Sequence, residues 1–167
     1  MSKSIVSSAH LVSEKSVELS EYEYGLIIAA NTFDRWIVRC AAAAGLKNMG
    51  PLDVLVLHSV NHRARAKKLA DLCFVLNIED THTVAYSCRK LVKQGLIKSS
   101  KQKKENFYST TTAGRAACDR YREVREDCLV DVLRTIGVSN DEVGAAAAVL
   151  RALSGLYDQA ARAAASL

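Results

Sequence analysis

Apolar residues recur at helical spacing along most of the chain, which predicts a mainly α-helical protein. A stretch that ends near Gly45 has an apolar stripe wide enough to contact both its own core and a second subunit. The motif Ser20-Glu21-Tyr22-Glu23 is a capping box, which predicts that this long helix starts there. Gly50-Pro51 then precedes a short predicted helix over about 51–60, because proline is tolerated at the first helical position.

The pattern changes between residues 61 and 112. Two short amphipathic patterns separated by Asn77 predict two helices, and two short alternating runs after Gly95 predict two strands. The predicted elements are helices over 65–76 and about 80–94, strands over 97–100 and 106–110, and a turn over 101–105. On the second helix, we expect the inward face to consist of Val84, Ser87, Cys88 and Leu91. This order of elements is typical of a winged helix-turn-helix with a two-stranded wing.

The remainder of the chain is predicted to be helical. Thr111 is a plausible N-cap for a helix over about 112–136 that ends at Gly137, and the capping box Ser139-Asn140-Asp141-Glu142 opens a last helix that runs toward Leu167. The last helix is apolar over so much of its circumference that we expect a partner to bury it. We therefore predict an N-terminal arm over 1–19, a DNA-binding region over 61–112, and a helical dimerisation region formed by 20–60 and 113–167.

Positive charge is concentrated in the winged segment. Residues 61–104 contain eleven basic and three acidic residues, a net charge of +8, whereas the whole chain has +5. Such a segment suits the phosphate backbone of DNA, because each neutralised phosphate releases counterions. The sequence therefore predicts double-stranded DNA as a partner.

The candidate DNA contacts fall into three groups. On the second helix, Arg89 could bind a guanine in bidentate fashion, which is worth about 1–3 kcal/mol of discrimination. The other candidates on this helix, for base edges or phosphates, are Thr81, His82, Thr83, Tyr86, Lys90 and Lys93. Before and within the first helix, the candidates for phosphate contacts are Arg63, Arg65, Lys67 and Lys68. In the wing they are Lys98, Lys101, Lys103 and Lys104.

The segment resembles the MarR family of transcription regulators. The resemblance rests on Leu69-Ala70, Leu76-Asn77-Ile78, Val84, Leu91, Gly95-Leu96-Ile97 and Thr111-Thr112-Ala113-Gly114, and extends more weakly over about 20–167. One departure concerns the wing tip, where that family usually has Asp-Arg with the arginine in the minor groove. Here the tip is Lys101-Gln102-Lys103-Lys104-Glu105, so we expect phosphate contacts by lysines instead.

The resemblance implies a homodimer whose terminal helices interlock and whose two recognition helices read a palindromic site. It implies regulation of transcription, most commonly repression. It also implies a small apolar or aromatic effector in a cleft beside the dimerisation helices, for which the candidate residues are Tyr22, Phe33, Trp36 and Cys40.

Other functions find less support in the sequence. It contains no glycine-rich phosphate loop, no G-x-S-x-G and no paired-carboxylate constellation typical of a catalytic site, so we expect no enzyme and no cofactor. His58 and His62 have metal-ligand spacing but lack the carboxylate of an H-E-x-x-H motif, and the five cysteines are scattered, so we expect no metal site and reduced thiols. No signal peptide is visible, which favours the cytoplasm.

Two alternatives to specific regulation remain at this point. A winged helix could instead act as a protein-interaction or assembly module, or bind DNA without sequence preference.

Overall fold

The computed structural model describes residues 15–102 and 105–167. These residues form two compact units, the first ending at Val124 and the second comprising Arg125–Leu167. The structure is mainly helical with one small antiparallel sheet, as the sequence predicts. Most of the predicted arm over 1–19 lies outside the described residues. Within the described part, no helix is long and apolar enough to cross a membrane.

The first helix, α1 (Val17–Ala43), starts one turn before the predicted capping box. The side chain of Ser16 caps it by accepting a hydrogen bond of 3.3 Å from the amide of Leu19. Ser20 is instead buried inside the helix, so the predicted start was wrong. Ile27, Ile28 and Phe33 on the same helix are about half exposed, which leaves an apolar surface along α1.

The winged unit follows. Its elements are α2 (Pro51–Asn61), a 3₁₀ turn (His62–Ala64), β1 (Lys67–Lys68), α3 (Leu69–Leu76), α4 (Thr81–Lys93), β2 (Ile97–Gln102) and β3 (Glu105–Thr110). Asn77 ends α3 in the left-handed conformation, with φ of 52°, which asparagine tolerates better than most residues. The helix-turn-helix and its wing are therefore confirmed, although α3 begins four residues later than predicted.

The sheet has three strands, in the order β1-β3-β2, and all pairs are antiparallel. Ile97 pairs with Thr110 in the wing, and Lys67 pairs with Tyr108 on the other side of β3. The two strands of the wing were predicted, but the third strand of the sheet, β1, was not. A two-residue strand has no alternating pattern of its own, because only its pairing with β3 defines it.

The core of this unit lies where its helices meet the sheet. Leu57 of α2, Leu72 of α3, Leu91 of α4 and Ile97 of β2 are completely or almost completely buried there. Burying an aliphatic side chain of this size contributes about 1.5–3 kcal/mol relative to exposure. These four side chains therefore fix the positions of the helix-turn-helix and the wing relative to each other.

A tight corner connects the wing to α5 (Thr112–Arg125). The hydroxyl of Thr111 donates to the carbonyl of Gly95 at 2.7 Å and accepts from the amide of Gly114 at 3.0 Å. The amide of Thr111 donates to the carbonyl of Leu96 at 3.1 Å. Thr111 therefore caps α5, as predicted, and also attaches its start to the beginning of β2.

The second unit consists of helical segments. They are a π-helical stretch (Glu126–Val130), α6 (Asp131–Leu133), a 3₁₀ turn (Arg134–Ile136) and α7 (Asn140–Ala164). The predicted helix over 112–136 thus changes its hydrogen-bonding pattern along its length, but Gly137, with φ of 76°, ends it as expected.

The predicted capping box of the last helix is confirmed. The Ser139 hydroxyl accepts from the Glu142 amide, and the Glu142 carboxylate accepts from the Ser139 amide. No residue of α7 is buried, and several large apolar side chains on it are about half exposed: Val143, Val149, Leu150 and Leu156. That a partner buries this helix stays a prediction.

Candidate nucleic-acid interface

Helix α4 has a buried face and an exposed polar face. Asp80 caps its first turn by accepting from the amide of His82 at 2.9 Å. The four residues predicted to face inward are all buried: Val84, Ser87, Cys88 and Leu91. The exposed face carries Thr81, His82, Thr83, Tyr86, Arg89 and Lys93. The α4 surface therefore presents hydrogen-bonding and cationic groups in the way a recognition helix requires.

A buried carboxylate attaches this helix to α2. Asp53 accepts hydrogen bonds from the Ser87 hydroxyl at 2.8 Å, from the Gly50 amide at 2.8 Å and from the Lys90 amine. Burial by itself raises the pKa of Asp53, but the hydrogen bond from Lys90 and those from Gly50 and Ser87 outweigh burial and hold this pKa below its usual value. The network determines how α4 sits on the domain.

The prediction that Lys90 binds a phosphate finds no support in the structure, because the Lys90 amine is bound by Asp53. Its amine is engaged by a carboxylate that is almost completely buried, and its side chain is only partly exposed. Asp53 and Ser87 were not predicted as positioning residues. A signal was present, since Ser87 is the polar residue among the three apolar ones on the inward face of α4.

The base of the wing and the two helices of the motif share one cleft. It has a volume of about 330 Å³ and is lined by residues that include Lys68 at the start of α3, Thr81 of α4 and Asn106 of β3. Lys68 forms an ion pair of 2.6 Å with Glu105, and its amine lies 5.5 Å from the centre of the Phe107 ring. The structure thus brings Lys68 and Thr81 together, although the Lys68 amine is already paired with Glu105.

Of the four wing lysines predicted to contact phosphate, the structure describes two. Lys98 and Lys101 on β2 are exposed, and their contact with phosphate stays a prediction. Lys103 and Lys104 lie outside the described residues.

The basic segment before α3 is divided between surface and interior. Arg63 and Arg65 are exposed. Lys67 is only 6% exposed, and its amine donates to the carbonyls of Val60 at 3.1 Å, Arg65 at 3.3 Å and His62. Burial, and then the charge of Arg65, lowers the pKa of this amine. The prediction of a phosphate contact by Lys67 was therefore wrong, because its three donors are used inside the protein.

A second cleft, of about 550 Å³, lies along the C-terminal half of α4. It is lined by Tyr86, Arg89, Lys90, Lys93 and Gln94. Tyr86 is 65% exposed, so its ring and hydroxyl are accessible from this cleft. Arg89, with its planar donors beside this aromatic ring, is the best-placed candidate for a base edge.

The four effector candidates do not surround one small cavity within a chain. Tyr22 and Cys40 are eighteen positions apart on α1, which is about 27 Å along a helix axis. Cys40 is buried and donates a hydrogen bond of 3.5 Å to the carbonyl of Tyr121, whereas Phe33 is about half exposed. Within one chain these four residues do not share a pocket, and an effector site in the proposed dimer stays a prediction. Of the four candidates, Trp36 is partly buried and packs against the hydrophobic core.

The two histidines do not belong to a metal site within the described residues, where no group of three potential ligands occurs. The His58 ring packs edge-on against Tyr121, with ring centres 4.4 Å apart. Its Nε2 atom is buried without a hydrogen-bond partner. Burial, together with the charge of Arg122, lowers the pKa of His58 and favours the neutral ring.

Comparison with known proteins agrees with this geometry. Residues 49–114 match a family described as the winged helix DNA-binding domain. A search of curated proteins finds no match. Residues 49–114 therefore form a winged-helix unit within the chain.

Solved structures extend the likeness to most of the chain. NMB1585, a MarR family regulator from Neisseria meningitidis, superposes with a TM-score of 0.67 at 19% identity, over 86% of this chain and 95% of that one. A mutant MarR from E. coli complexed with operator DNA gives 0.66 at 19% identity, over 84% and 99%. YusO from Bacillus subtilis gives 0.52 at 16% identity, over 86% and 98%. The predicted resemblance is confirmed, and the chain has the fold of the MarR family.

Proposed function

We propose that this protein is a non-catalytic transcription regulator that binds a specific duplex DNA sequence as a homodimer. The observation that carries the proposal is the exposed face of α4, on which Arg89, Tyr86 and Lys93 surround an open cleft. The same helix is held rigidly by the buried Asp53 network, and a rigid support is what base-specific contacts need. The match to a DNA-binding domain family and the likeness to a MarR bound to operator DNA support this assignment.

The proposed homodimer rests on apolar surface that one chain leaves uncovered. Ile27, Ile28 and Phe33 on α1 and Leu150 and Leu156 on α7 are each about 40 to 60% exposed. Two copies that bury these helices against each other would present two α4 helices, and a twofold axis would match a palindromic site. Sedimentation equilibrium should give twice the chain mass of 18.2 kDa, and a monomer at micromolar concentration would contradict the dimer.

The DNA-binding experiment uses fluorescence anisotropy on a duplex from the region upstream of the gene and on a scrambled duplex of equal length. We expect a preference of about a thousandfold or more, with a steep dependence on salt. A steep salt dependence without preference on a broad set of duplexes would favour nonspecific binding. Absence of binding at low salt would contradict the proposal and favour the protein-interaction alternative.

The Arg89→Glu variant tests the assigned surface. Loss of a bidentate arginine costs about 1–3 kcal/mol, and the added repulsion from phosphate should bring the loss of affinity to about a hundredfold or more. Arg115→Glu on α5 is the matched control, because it changes the net charge equally at an exposed position outside both the proposed DNA contacts and the apolar surfaces proposed for the dimer. Equal losses in both variants would mean that net charge, rather than α4, accounts for binding.

A further inference from the structure

Lys67 is a buried cation at the end of α2. Its side chain is 6% exposed, and its amine donates to the carbonyls of Val60, His62 and Arg65. An ammonium group has three N–H donors, so these three acceptors use all of them. The last carbonyls of a helix lack partners within the helix and carry partial negative charge, which makes the Val60 carbonyl a favourable place for a cation.

The same carbonyls enclose a short loop with an uncommon backbone. His62 and Arg65 flank Arg63 and Ala64, and both of these central residues are left-handed, with φ of 61° and 48°. This conformation is unfavourable for residues other than glycine, so the surrounding structure must hold it. Lys67 contacts the loop on both sides of the left-handed pair, and is therefore placed to hold it.

The backbone of Lys67 is itself fixed by the sheet. Lys67 and Lys68 form β1, and Lys67 pairs with Tyr108 of β3. Successive residues of a strand point to opposite sides, so Lys67 points inward while Lys68 points toward the surface and pairs with Glu105. The amine that holds the loop therefore projects from a strand that is hydrogen-bonded to the wing.

We propose that Lys67 is a positioning residue for DNA binding: it does not touch DNA, but holds residues 62–65 so that Arg63 and Arg65 face the phosphate backbone. The proposal rests on the DNA-binding function proposed above. Both arginines are exposed and line the rim of a cavity of about 520 Å³ whose wall includes Lys67. The lysine thus links the geometry of the wing to the two phosphate-contacting arginines.

The first test needs no DNA. Lys67→Met keeps the unbranched stem and removes the donors, and Lys68→Met is the matched control. Trypsin cleavage after Arg63 and Arg65 should be at least about tenfold faster in Lys67→Met and unchanged in Lys68→Met, because local opening exposes the loop. In the unmodified protein, an amine-acetylating reagent should label Lys68 well before Lys67. Equal labelling of the two lysines would overturn the proposal even if Lys67→Met fails to fold.

The second test is a mutant cycle read out by the salt dependence of DNA affinity. Each lost phosphate contact reduces the slope of log affinity against log salt by about 0.9. Lys67→Met should reduce the slope by about 1.8, as Arg63→Gln with Arg65→Gln does, and should cause no further change when added to that double variant.

The failures of the two proposals are distinguishable. A reduction of about 0.9 that adds to the effect of the arginine substitutions would show that Lys67 contacts a phosphate directly, which overturns the positioning role alone. If the unmodified protein bound no duplex at low salt, the proposed function would fail, and the positioning role with it.

Discussion

Replacing Gly114 with alanine would place a methyl group against the backbone of the wing. An ideal Cβ at this position lies 2.0 Å from the carbonyl oxygen of Leu96 and 2.8 Å from Cγ2 of Thr110. The nearest obstacle is main chain, and the same carbonyl accepts a hydrogen bond from the Thr111 amide at 3.1 Å. The methyl group can therefore be accommodated only by moving α5 away from β2.

The magnitude follows from two opposing effects. Overpacking costs about 1–3 kcal/mol where side chains can adjust, and a backbone obstacle places this site at the upper end or beyond. Alanine in place of glycine inside a helix contributes about 1 kcal/mol in the opposite direction. We expect a net loss of at least about 2 kcal/mol in the free energy of unfolding, which lowers Tm by about 4–8 °C for a chain of this size.

The assay is urea denaturation followed by circular dichroism at one fixed protein concentration, since the proposed dimerisation would make stability concentration-dependent. Gly25→Ala on α1 is the control, because a Cβ at this position would have no described atom within 4 Å, and the substitution should be neutral or stabilising by up to about 1 kcal/mol. If Gly114→Ala proved as stable as Gly25→Ala, the account of a close contact between α5 and the wing would be refuted.

Two further predictions concern buried ionisable groups. Asp53→Asn should cost about 1–3 kcal/mol at neutral pH, because the Lys90 amine and Ser87 hydroxyl lose a charged acceptor, and the difference in stability from the unmodified protein should shrink as pH falls below 3.8. The sign follows from the lowered pKa of Asp53, whose stabilisation is present above the unfolded value of 3.8 and is lost as pH falls through the folded one. The lowered pKa of His58 means that stability is complete above about pH 6.5 and declines as pH falls below it, since the unfolded chain takes up the proton more readily. His58→Phe, which keeps a ring beside Tyr121, should flatten the stability profile below about pH 6.5, and an unchanged profile would contradict this explanation.

The local sequence pattern was sufficient to predict much of the helix-turn-helix. The inward face of α4 was predicted residue by residue, and all four residues are buried. Periodicity is reliable here because a backbone with about 3.6 residues per turn determines which side chains share a face. The Ser139 cap and the break at Gly137 were predictable for the same reason, since each depends on residues within one turn of itself.

Local signatures were misleading where two of them competed or where a partner defined the element. Ser16 and Ser20 both precede helical pattern, and only the observed hydrogen bond to Leu19 shows which one caps α1. Residues 67–68 continued the helical pattern of α3 in the sequence, but they form a strand because β3 lies alongside them. The start of α1 and the strand at residues 67–68 both depend on contacts that the local sequence does not specify.

By itself, the sequence determined that this protein is mainly helical, has a basic winged unit and exposes a polar recognition face, because periodicity and net charge are properties of neighbouring residues. Only the tertiary structure decided what individual cations do. Lys90 is held by Asp53, which is 37 positions away, and Lys67 by carbonyls at the end of α2. A lysine is free to bind phosphate only if no acceptor inside the protein reaches it first, and folding alone determines which acceptors come within reach.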